Sequence, residues 1–183
     1  MTDIAAECRA AVSRLATTMV LRDPDALRYL SGEAAFGGTL PASQMMLSAA
    51  YLLGDVLLSG MGTALGRPPT QAEIMQAWEQ TARQARQRLT SSPETAAMDA
   101  GMVTALPLLT AFVSRDMAAF NRDCAAAAGK KQLTMAVLAT SLIIRDLFET
   151  AVNTAADGVA TDEQVRREWE KFMAQRAGSQ RRV

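Results

Sequence analysis

The chain repeats itself. Its only two tryptophans, Trp78 and Trp169, lie 91 residues apart, and a register follows from that spacing. Asp55 falls on Asp146, Thr63-Ala64 on Thr154-Ala155, Thr70 on Thr161, Trp78-Glu79 on Trp169-Glu170, Gln84 on Gln175 and Leu47 on Leu138. Further upstream the offset becomes 93, where Val20, Arg22, Asp23 and Ala26 lie over Val113, Arg115, Asp116 and Ala119. The two-residue difference fits into the loop FGGTLP (36–41) against GKKQL (129–133). A duplicated unit constrains the fold strongly, because both copies must bury the same faces.

Each unit reads as helices alone. Alanine, leucine, methionine and glutamine are plentiful, β-branched runs are scarce, and no strand alternation of useful length occurs. The first unit is expected to form helices over 2–19, 24–32, 41–65 and 71–88, the second over 94–112, 117–128, 131–156 and 162–177. Asp23-Pro24 supplies a capping carboxylate and a proline suited to the first helical position. TQAE (70–73) and TDEQ (161–164) have the form of capping boxes, and Gly66 and Gly158 are placed to end the long helices. TSSPET (90–95) reads as the linker, with a serine cap before Pro93. The expected fold is all-α: about eight helices, as two tandem four-helix repeats (1–90 and 93–183) packed about a pseudo-two-fold axis into one compact domain.

Composition removes several functions. Nineteen basic and nineteen acidic residues leave no net charge, against the basic excess expected of a nucleic-acid binder. The chain has no histidine, the commonest general base and metal ligand. It carries no P-loop, GxGxxG, GxSxG, HExxH or EF-hand pattern. No catalytic, cofactor-binding or metal-binding set is assigned, no cofactor is expected, and the chain reads as a non-enzyme. Cys8 and Cys124 stand far apart in no CxxC arrangement and are expected as reduced, buried thiols. MTDIAAECR lacks the basic-then-apolar form of a secretory signal, so a cytoplasmic location is expected. The arginines of ARQARQRL (82–89) and of the tail read as solvated helix ends.

One carboxylate stands out. Asp55 is the sole charge between Met45 and Gly66, a run long enough to span a bilayer. The matching stretch carries Arg145, Asp146 and Glu149, each costing about 2.5–3.5 kcal/mol at mid-membrane, so membrane insertion is not expected. Helical spacing places Gln44, Ser48, Asp55, Ser59, Gly62 and Gly66 near one stripe, and Asp146, Thr150, Asn153 and Asp157 near another. Such a seam can meet water, hold a structural ion pair or line a ligand pocket. The recurrence of Arg22-Asp23 as Arg115-Asp116 favours ion pairs within each unit, Asp55 with Arg22 and Asp146 with Arg115. Trp78 and Trp169 are expected to anchor each fourth helix to its own unit, Trp78 sharing a face with Ile74 and Ala82, Trp169 with Val165 and Phe172.

A short RDxxA segment, a long apolar helix ending in glycine and then GRPPTQAEIMQAW resembles small all-helical proteins of unknown function common in actinobacterial genomes. That resemblance spans about one repeat unit and implies a style of fold and no activity. The leading functional expectation is a non-enzymatic interaction module whose partner is another protein or a second copy, as monomer or homodimer. The alternative is a small-molecule-binding bundle with an apolar pocket between the long helices, lined by methionine and the polar seam. A closed core favours the first; a cavity of several hundred cubic ångströms favours the second.

Overall fold

The computed structural model describes residues 3–23, 40–89, 96–129 and 132–180, and these form helices and turns only. Seven helices are described: α1 (Ile4–Val20), α2 (Ala42–Leu65), α3 (Gln71–Gln87), α4 (Ala96–Val113), α5 (Met117–Gly129), α6 (Leu133–Ala155) and α7 (Asp162–Gln180). The helix expected over 24–32, with its start at Pro24, and the linker over 90–95 fall outside the described residues.

Local chemistry sets the helix ends. Asp3 caps α1, its carboxylate accepting from the amides of Ala5 and Ala6. Both expected capping boxes form. Thr70 and Glu73 exchange hydrogen bonds at α3, and at α7 the Thr161 amide donates to Gln164 Oε1 (2.8 Å) while Gln164 N donates back to Thr161 Oγ1 (3.2 Å). Arg67 also binds the Glu73 carboxylate; that ion pair first, and the Thr70 bonds next, hold its pKa down at about 2. Gly66 ends α2 in the left-handed region, at φ 64°. At the matching place after α6 the left-handed residue is Asp157, φ 50°, rather than the expected Gly158. Asp157 N donates to Thr154 O and Gly158 N to Asn153 O, the double bond pattern that closes a helix with the first residue past its cap left-handed.

The centre of the molecule is the packing of α2 on α6, the most extensive helix pair, with α1 and α4 laid across them. α2 and α6 cross where Gly60 faces Ala151: a Cβ added to Gly60 would lie 3.1 Å from the Ala151 methyl. α4 approaches α6 as closely, since a Cβ on Gly101 would penetrate the Met135 carbonyl. Around these contacts lies one continuous apolar core, to which both stretches of the chain contribute. The buried hydroxyls of Ser48, Thr140 and Ser141 donate to carbonyls one turn back, so none is stranded. Pro107 sits inside α4 on an exposed face, where water can take the carbonyl that its missing N–H leaves. α2 and α4 are long and apolar enough to cross a membrane, but half of the most apolar window of α2 is already buried in this core.

Trp78 and Trp169 are both fully buried. Their hydrogen bonds depart from expectation. Trp78 Nε1, on α3, donates to Thr110 Oγ1 on α4, and Trp169 Nε1, on α7, donates to Thr17 Oγ1 on α1, each at 2.9 Å. Each indole therefore reaches into the other stretch of the chain, because α3 packs chiefly along α4 and α7 lies partly on α1. Thr17 and Thr110 stand at the 93-residue offset. Trp169 also meets Phe148 of α6 edge-on, centroids 4.9 Å apart.

Two expectations follow. Gly101→Ala should destabilise by about 1–3 kcal/mol in urea unfolding, as overpacking does, whereas Gly62→Ala, whose added methyl finds ordinary contact, should stabilise by up to about 1 kcal/mol through helix propensity. By carboxyl NMR, Glu73 should titrate near pH 2, and Arg67→Gln should move it further toward the ordinary value of 4.5 than Thr70→Val does. Because the folded pKa is lowered, the stability it contributes is present above pH 4.5 and lost as pH falls toward 2.

Candidate functional site

Between α3 and the crossing of α2 with α6 lies a cleft of about 570 Å³. Its floor is apolar: Val56, Leu57 and Met61 from α2, Ile143 and Leu147 from α6, and Met102 from α4. Small side chains keep it open. Gly60, Ala64, Ala77, Ala85, Ala151 and Ala155 line it, where larger residues would fill the space. Thr63, Thr81, Thr150 and Thr154 also line it, each hydroxyl donating to a carbonyl of its own helix and leaving its oxygen able to accept. Thr150 and Thr154 continue the polar seam that begins at Asp146.

Asp146 stands at the charged end of the cleft together with Arg88, the last-turn cap residue of α3. The two form an ion pair, Arg88 Nη1 to Asp146 Oδ2. Arg145 takes the other carboxylate oxygen, Nε and Nη2 reaching Oδ1 at 3.0 and 2.7 Å. Although Arg145 and Asp146 are adjacent in sequence, the long guanidinium folds back along α6 to its neighbour.

Asp55 answers differently. Arg176 of α7 donates Nε to its Oδ2 at 2.5 Å, and the Arg176 side chain is only 10% exposed while that of Asp55 is 44% exposed. Neither pairing matches the expected one. Arg22 reaches instead to Glu149 on α6, at 3.0–3.3 Å, and no ion pair joins Arg115 to Asp146. The recurrence of Arg-Asp has another physical cause. Arg22 and Arg115 are the left-handed residues that end α1 and α4, at φ 52° and 64°. Arg22 N donates to Met19 O and Asp23 N to Thr18 O; Arg115 N donates to Phe112 O and Asp116 N to Ala111 O. Asp116 then caps α5, accepting from Ala119 N at 2.9 Å. Each dipeptide closes the helix before it, Asp116 also opens α5, and the arginine is not the partner of the mid-helix carboxylate.

A second cleft, of about 420 Å³, lies between α7 and the same two long helices. Its lining matches the first at the 91-residue offset: Phe148, Ala151, Val152 and Ala155 stand for Leu57, Gly60, Met61 and Ala64. The contents differ. Phe172 enters where the first cleft has Thr81, with Glu168 and Lys171 where it has Ala77 and Gln80. Phe172 packs against Phe148 and Trp169, centroids 5.9 and 5.5 Å away, and narrows this cleft.

Cys8 and Cys124 are free and buried; burial is the first cause raising both thiols, Cys124 to about 11, which keeps them unreactive at neutral pH. Among the described residues no three metal-ligating side chains converge. No family model, curated protein or solved structure matches the chain.

Arg88 and Arg176 escaped sequence reading because arginines near helix ends are ordinarily solvated. The signal available was their position: both follow the fourth-helix tryptophan by two to three turns, on a helix whose partner was not evident. The two carboxylates should respond unequally. Asp55→Ala strands a nearly buried guanidinium and should cost about 1–3 kcal/mol. Asp146→Ala releases Arg88 and Arg145, both able to reach water, and should cost under about 1 kcal/mol. Equal losses in chemical denaturation would contradict this difference in burial.

Proposed function

We propose that the protein binds a small apolar molecule in the cleft beneath α3 and does no chemistry on it. The observation that carries this reading is the open 570 Å³ space against the crossing of the long helices, within the range of about 300–1,000 Å³ usual for small-molecule sites. Its mostly apolar floor with a few acceptor hydroxyls and one charged end suits such a ligand. Methionines Met61 and Met102 give the wall an adaptable surface.

We further infer that the chain is a fused pair of four-helix units that exchange their fourth helices. Three observations support this: the crossed tryptophan–threonine bonds, the crossed Asp55–Arg176 and Asp146–Arg88 pairs, and the meeting of Gly60 with its own counterpart Ala151. On that reading the two clefts are copies of one ancestral site, and the one beneath α3 has stayed the larger, at about 570 against 420 Å³.

A protein-binding role has its own observation. Tyr51 and Leu58, one heptad apart on α2, are 53% and 45% exposed beside the Asp55–Arg176 pair. The ligand reading is favoured because the cleft has a continuous apolar floor drawn from three helices, whereas Tyr51 already packs edge-on against Phe112, ring centroids 5.0 Å apart, beside a charged pair.

Nile red, a neutral apolar dye, should bind the full-length protein with one-to-one stoichiometry and a rise in fluorescence. Thr81→Phe, which places in this cleft the residue its counterpart already has, should abolish that rise while leaving helical circular dichroism unchanged. Dye binding that survives Thr81→Phe in a folded protein would place the site elsewhere.

A further inference from the structure

The charged end of the open cleft differs from its counterpart in a way that specifies the ligand's polar group. At the Asp55 end, one guanidinium meets one carboxylate. Gly54 stands where Arg145 would be, and Arg176 is both nearly buried and paired with Asp55. Withdrawing Arg176 would leave Asp55 uncompensated. At the Asp146 end, two guanidiniums share one carboxylate, a local net charge of +1. Arg145 already supplies two hydrogen bonds to Oδ1. Arg88 can therefore leave Asp146 without stranding it.

Arg88 is also the more exposed of the two arginines. Its side chain is 64% exposed and hangs from the C-terminal cap of α3 at the mouth of the cleft. An ion pair so exposed holds its partners weakly, so a second anion competes readily. A guanidinium presents a planar fork of donors that fits a carboxylate in two parallel hydrogen bonds. Below it lie Leu57, Met61, Ile143 and Leu147, which accept only an apolar body.

We propose that the cleft takes an apolar carboxylic acid, its hydrocarbon part against α2 and α6 and its carboxylate on Arg88, with Arg145 as the positioning residue that keeps Asp146 neutralised when Arg88 turns to the ligand. This rests on the cleft reading given above. The ligand is selected by its charge at one end and its lack of polarity along the rest, and a neutral or cationic head group cannot accept the two parallel hydrogen bonds of a guanidinium.

The test uses the full chain with decanoate and decan-1-ol, two probes of equal length that differ in the head group, each displacing Nile red at concentrations where neither forms micelles. Decanoate should bind about tenfold more tightly than decan-1-ol, the gain expected of charge-assisted hydrogen bonds at a partly wet site. Arg88→Met should bring decanoate down to the affinity of the alcohol and leave the alcohol unmoved. Arg145→Met should weaken decanoate as well, because Arg88 is then the remaining partner of Asp146, although Arg145 does not line the cleft. Equal affinity for both probes, unmoved by Arg88→Met, overturns the carboxylate assignment while leaving an apolar cleft. Displacement by neither probe, or displacement that persists in a folded Thr81→Phe variant, overturns the cleft reading itself.

Discussion

The rest of the molecule depends on the close crossing of α2 and α6 at Gly60 and Ala151. Small residues at a crossing bring two helix backbones together, and the long side chains on either side then have to pack outward. Two grooves result, one on each flank of the crossing, and α3 and α7 lie over them. A larger residue at Gly60 would press on the Ala151 methyl and push the two long helices apart there. The core, the positions of the covering helices and the depth of the clefts therefore have a common geometric origin.

The covering helices are held at two levels along their length. Nearer the start, a buried indole donates to a threonine on α4 or α1; nearer the end, an arginine reaches a carboxylate on a long helix. The indoles dominate energetically, since burying a tryptophan contributes several kcal/mol and an exposed ion pair about 1 kcal/mol or less. The end of α3 is thus the looser part, and it is the part that carries Arg88 at the mouth of the open cleft. α7 is closed at the same level by Phe172 and by a nearly buried Arg176.

Much of the fold was legible in the sequence. The helical composition, the boundaries of the long helices and both capping boxes depend on local chemistry, and local chemistry can be read from neighbouring residues. What depends on tertiary placement could not be read so directly. The Arg-Asp dipeptide recurs because a left-handed helix ending recurs, and the same two residue types suggested an ion pair with Asp55 and Asp146. Position 157 is left-handed and the glycine beside it is not, because the helix end is set by length rather than by the nearest glycine. The tryptophans were recognised as buried anchors, yet their partners Thr17 and Thr110 were unremarked, although the offset that pairs the tryptophans pairs the threonines too. The contrast of Thr81 with Phe172 was present as a mismatch between repeats. Only the packed structure shows that Phe172 narrows the second groove.

The most direct measurement is methyl NMR of protein labelled at the methionine ε-carbons during titration with decanoate. Met61 and Met102 line the open cleft, while Met19, Met45 and Met46 are buried in the core and Met173 lies on α7. Binding in the cleft should shift Met61 and Met102 progressively to saturation and leave Met19, Met45 and Met173 in place. Saturable binding with Met61 and Met102 unmoved, or with the largest shift at Met173, would contradict it.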